Sequence, residues 1–190
     1  MRKLLALACL LMACAADNKK VIVIPPPTVT ESPTPPSMTV IERGEDWSIE
    51  VLNGWEKVGI TTIPTNSAGM QFVNKEQKIG LAVVREVLPT HISNEELAFG
   101  FELYLKSKDI GIDDLRNVKL NDRSFILIEF HAIPHQFGET IQVQAWMSAE
   151  DKVTYTMICG SVITNQQTPE LCNQMVSTFK VDNKDGIVQP

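Results

Sequence analysis

Positive charge is scarce in this chain. Its 17 Lys and Arg face 23 Asp and Glu among 190 residues, a formal balance of −6. A phosphate-backbone binder needs a clustered basic surface, so nucleic acid is excluded as a partner. Long apolar runs are missing as well. None reaches the roughly 18–20 residues that a helix needs to span a bilayer. Signatures of catalysis are also absent: there is no G-x-S-x-G, no P-loop and no G-x-G-x-x-G. The expectation is therefore a non-enzymatic protein with no cofactor. What the chain does have is 44% hydrophobic residues, enough for a real core and too many for a wholly disordered chain.

The averages hide two unlike parts. Met1-Arg2-Lys3 and the apolar run Leu4 to Met12 make a basic head and a short hydrophobic segment, the pattern of a secretory signal. Leu11-Met12-Ala13-Cys14 resembles the bacterial lipobox, in which a small residue precedes a cysteine that carries diacylglycerol. The resemblance implies cleavage after residue 13 and lipidation of Cys14, the alternative being an ordinary thiol beside a conventional cleavage site. Cys9 follows Ala8 and offers a second position, but with a much shorter apolar run before it. Two or three acyl chains hold a protein on a membrane stably. Ala15 stands where enteric-type bacteria use aspartate to retain lipoproteins in the inner membrane, so the resemblance points to the outer membrane.

Residues 14–38 read as a linker. Pro25, Pro26, Pro27, Pro33, Pro35 and Pro36 are interleaved with Thr and Ser. Proline fixes φ and lacks a donor, so this stretch favours an extended polyproline-like spacer with a reach of up to ~70 Å. The alternative is a docking peptide for a proline-recognition domain. The body, residues 39–190, keeps 13 basic and 21 acidic residues, 13 − 21 = −8. That acidity rules out a polybasic lipid-surface patch.

Period-2 alternation in the body predicts strands. Trp47, Ile49 and Val51 share one face before a turn at Asn53-Gly54. Met70–Val73 and Ile79–Val87 read as a hairpin around Asn74–Gln77. Ser124–Ile133, Ile141–Met147 and Val153–Cys159 form an antiparallel meander. Ser93 and Glu96 make a capping box ahead of the stripe Leu97, Phe101, Tyr104 and Leu105, with Gly111 past the end. Thr168 and Pro169 open a second helix with the stripe Leu171, Cys172, Met175, Val176 and Phe179. The fold class is α+β, an antiparallel β-sheet flanked by helices.

The run Trp47-Ser48-Ile49-Glu50-Val51-Leu52-Asn53-Gly54-Trp55 resembles the opening of the PsbP-like superfamily, which includes DcrB-type bacterial lipoproteins. Leu52 stands where that pattern has proline. The Tyr155–Cys159 strand, the following helix and Ser177-Thr178-Phe179-Lys180 resemble its ending. The resemblance implies a PsbP-like α/β/α sandwich over residues 39–190 and a mostly non-enzymatic repertoire: photosystem subunits, an import factor, chaperones and periplasmic lipoproteins. Fold alone does not select among them.

Few residues are left to carry chemistry. With Cys9 lost and Cys14 lipidated, Cys159 and Cys172 both point inward in an oxidising compartment, so a disulfide is expected. The alternatives are two buried thiols or a redox pair. His131 and His135 are four apart, but Pro134 spoils helical ligation; with His91 they read as solvated loop residues, and no metal site is expected. Asp113-Asp114 and Asp182 to Asp185 lack the oxygen spacing of a calcium loop. Glu95-Glu96 sit at a helix start, which the macrodipole explains. Trp146 lies among Gln142, Gln144 and Ser148, either as core packed under a helix or as a binding-surface anchor. The leading expectation is a lipid-anchored periplasmic protein with a non-catalytic protein-binding domain. Two alternatives are an immunity protein whose acidic body blocks a basic toxin, and a small-ligand binder or enzyme using the concave sheet face.

Overall fold

The structure is a computed structural model that describes residues 39–59, 66–133, 139–164 and 168–182. The signal segment 1–13, Cys14, the linker 14–38, His135 and Asp185 lie outside the described residues. Ten strands and two helices follow one another in the described parts. Strands β1 (Thr39–Arg43), β2 (Trp47–Leu52) and β10 (Lys180–Val181) form a small sheet in the order β1-β2-β10. The large sheet comprises β3 (Glu56–Val58), β4 (Ser67–Asn74), β5 (Ile79–Val87), β6 (Ile112–Leu120), β7 (Arg123–Ala132), β8 (Ile141–Glu150) and β9 (Val153–Val162). Its order is β3-β4-β5-β9-β8-β7-β6, and every pairing is antiparallel.

Helix α1 (Asn94–Ser107) carries the chain from β5 to the far edge of the sheet, and the meander β6-β7-β8-β9 returns it beside β5. The capping box is formed: Ser93 Oγ accepts from the Glu96 amide and Glu96 accepts from the Ser93 amide. At the other end Gly111 lies in the loop past the helix, just before β6. Asp109 takes the left-handed conformation at φ 59°, and the amides of Asp109 and Ile110 donate back to Lys106 and Leu105. This is a Schellman stop with aspartate in place of glycine. Leu97, Ala98, Phe101 and Leu105 bury against Ile126, Ile128, Phe130, Val143, Ala145 and Met147.

The opposite face of the sheet holds the larger core. Phe72, Leu81, Val83, Leu127, Trp146, Met157 and Cys159 pack against Trp47, Ile49 and Val51 of β2 and against Cys172, Met175, Val176 and Phe179. The last four belong to or follow helix α2 (Thr168–Val176). The covering layer is thus α2 together with the small sheet, so only one side of the sheet is covered by helix alone. That departs from a sandwich with a helical layer on each side. The physical reason is β2, whose Trp47, Ile49 and Val51 face needs burial and finds it on the large sheet.

Candidate functional site

Phe179 is the hub of one end of the core. Its ring lies 6.0 Å from Trp47, 6.1 Å from Phe125 and 5.8 Å from Tyr155, centroid to centroid. Thr178 fixes its approach: the hydroxyl donates to the Met175 carbonyl at 2.7 Å and accepts from the Glu50 amide at 2.8 Å. From the other side comes the β6–β7 turn, where Asn121 and Asp122 both have positive φ, 48° and 66°. Two left-handed residues make a hairpin turn whose twist matches the strands, and Asn and Asp tolerate that region best after glycine. The Asn121 side-chain amide donates to the carbonyls of Ser177 and Phe179, at 2.9 and 2.7 Å. The turn is thereby tied to the end of α2.

Charged groups ring the Tyr155 side of this hub. Arg85 Nε donates to Asp46 Oδ2 at 2.8 Å, and the guanidinium also lies 3.6 Å from Glu45. Burial alone would lower the Arg85 pKa, but the hydrogen bond and charge of Asp46, with Glu45, hold it above its usual range. Burial, then the charge and hydrogen bond of Asp46, push the Tyr155 phenol up to about 12. The Arg123 guanidinium stands 5.6 Å over the Tyr155 ring and pairs with Glu150. Arg123 also lines an open cleft of about 470 Å³ with Leu120, Asn121, Phe125, Phe179, the β10 residues Lys180 and Val181, and Asp182. The cleft offers two cations and one carboxylate above the buried Phe125 and Phe179, a surface that can receive a charged or polar side chain.

The residues singled out from sequence fall elsewhere. Cys159 and Cys172 are bonded, with Cα atoms 5.9 Å apart, pinning α2 onto β9. Trp146 is a correction to the surface-anchor expectation: it is 2% exposed and packs in the core under α2 and the small sheet. Two of the polar neighbours that made its face look solvated, Gln144 and Ser148, are themselves buried. Gln144 bonds Glu129 at 2.5 Å, and Ser148 donates to the Ser124 carbonyl at 2.9 Å. His131 pairs with Asp113 and His91 with Asp151. Among the described residues, no three His, Cys, Asp or Glu gather where they could hold a metal. Asp113 and Asp114 sit in strand β6 rather than a loop, and Asp182 lies 3.9 Å from Arg43. Glu96 is used by the capping box. Asp46, Arg85, Tyr155 and Arg123 were not foreseen as a group. The one sequence signal was Arg85, a charge inside the apolar run of β5.

No family model matches the chain, and no curated protein matches it. Solved structures do. Cyanobacterial PsbP from Synechocystis sp. PCC 6803 superposes with a TM-score of 0.58 at 11% identity, over 80% of this chain and 98% of that one. A structure from Bacteroides thetaiotaomicron VPI-5482 gives 0.54 at 10% identity, over 78% of this chain and 50% of that one. The chain thus spans half the length of the Bacteroides protein. The fold is PsbP-like. At these identities the likeness carries architecture and no chemistry.

Proposed function

We propose that this protein is a lipid-anchored envelope protein of the DcrB-type lipoprotein kind, whose body is a non-catalytic protein-binding domain. The observation that carries the binding half is the cleft beside β10. It is open, polar and mixed in charge, whereas small-molecule sites are enclosed and mostly apolar. A protein side chain from a partner suits it better than a metabolite. The anchoring half rests on Cys14 and the proline-rich stretch before Thr39, where the first strand begins. In this reading the spacer holds the body away from the membrane in the periplasm, and Ala15 after the lipid-bearing cysteine favours the outer-membrane side.

The test uses the full chain in a Gram-negative host fed an alkyne fatty acid. Wild type is expected to carry label and to sediment with membranes, and Cys14→Ala to lose both while Cys9→Ala keeps both. Label persisting in Cys14→Ala overturns the anchor. A photo-crosslinking residue at Lys180 is expected to trap a defined envelope protein, and Arg123→Glu to abolish the adduct. A wild-type cleft that traps nothing overturns the binding reading.

A further inference from the structure

Helix α1 turns two large apolar side chains to solvent. Phe99 is 58% exposed and Leu103 41%, while Leu97, Ala98, Phe101 and Leu105 are buried. Residues four apart stack along one face of a helix, so Phe99 and Leu103 form a short stripe. At 3.6 residues per turn this stripe points away from the sheet. Scattered exposed apolar residues need no explanation, but a stacked pair at the apex of a helix is a contact surface in waiting.

The charge on the same helix says what covers it. Glu95 and Glu96 lie in its first turn and Lys106 in its last. Glu95 and Lys106 are 106 − 95 = 11 residues apart, about three turns, so they stand on the same flank of the stripe at opposite ends. A helix with acid at its start and base at its end complements itself when its direction is reversed. We propose that α1 packs antiparallel on α1 of a second copy, about a two-fold axis near Phe101. Phe99 of one copy then meets Leu103 of the other, and Glu95 meets Lys106, each contact made twice. Lys106 already bonds Glu102 at 2.7 Å, but an ammonium has three donors and bridges both carboxylates. The contact is isologous and closes at two copies. It leaves the cleft beside β10 uncovered, because α1 lies on the other face of the large sheet.

Sedimentation equilibrium of the full chain in density-matched detergent tests this. Wild type is expected to show a concentration-dependent monomer–dimer equilibrium, and the double variant Phe99→Glu/Leu103→Glu to stay monomeric with an unchanged circular dichroism spectrum. Glu95→Lys and Lys106→Glu are each expected to weaken association about ten-fold or more through like charges at both ends. An equimolar mixture of the two recovers the dimer, since every reversed charge then meets its opposite. A wild type that is monomeric at all concentrations overturns the proposal. So does a dimer indifferent to Phe99→Glu/Leu103→Glu. Failure of the mixture to recover overturns the antiparallel pairing.

Discussion

A phenol buried beside a carboxylate holds its proton late, and Tyr155 is such a phenol. Its folded value of about 12 lies above the ordinary 10, so the folded state binds this proton more tightly than the unfolded state. The stability it contributes is complete below pH 10 and is lost as pH rises from about 10 to 12. Denaturant midpoints are expected to fall across that window, and Tyr155→Phe to remove this part of the fall. Phenolate absorbance should show one late-titrating tyrosine that vanishes in the same variant. Gly44 is a residue that sterics require to be glycine. A Cβ there would meet the buried Trp47 indole at 2.2 Å, while its amide donates to the Trp47 carbonyl at 2.8 Å. Because the indole is fixed in the core, Gly44→Ala should cost about 1–3 kcal/mol by overpacking, read from urea unfolding.

At the scale of elements, α2 is the piece most dependent on its surroundings. Nine residues make a marginal helix in water, and its stability comes from packing on β9 and from the bond between Cys159 and Cys172, 13 residues apart. The chain-entropy model assigns a loop of this size about 3 kcal/mol. Replacing both cysteines by serine should lower stability by about that amount, and amide exchange should rise first in residues 168–176. The two helices and the β7-β8-β9 meander were legible because their apolar residues repeat at clear periods. Strands β1, β3, β6 and β10 were not. Strand β6 reads Ile-Asp-Asp-Leu-Arg-Asn-Val-Lys-Leu, and an irregularity between Ile112 and Asp114 breaks its alternation. Strands β3 and β10 have three and two residues, too few to show any period. Of the two readings of Trp146 the core one holds and the surface anchor does not; alternation could not choose between them, because it says which residues share a face and not whether both faces are covered.

At the scale of the whole molecule, the candidate site was the least legible feature. Asp46 and Arg85 are 39 residues apart, one in the bend that leads into β2 of the small sheet and the other on β5 of the large sheet, and neither belongs to a motif. Only the stacking of the small sheet on the large one brings them together. The cleft depends on the same stacking, since β10 supplies one wall and the β6–β7 turn the other. This architecture implies that the proposed anchor and the fold are separable. Strand β1 starts at Thr39 and pairs along its length with β2, from Thr39–Leu52 to Arg43–Ser48. Among the described residues, the two core clusters draw on nothing before Trp47. A chain beginning at Met38 should therefore keep the disulfide and a Tm within a few degrees of full length, because every described core contact is retained. It should also leave the membrane fraction entirely. A second truncation that starts at Trp47 removes β1 and exposes one edge of β2, and should unfold measurably earlier. If the chain from Met38 unfolds as readily as the one from Trp47, the segment before Thr39 is part of the fold and is not only a tether.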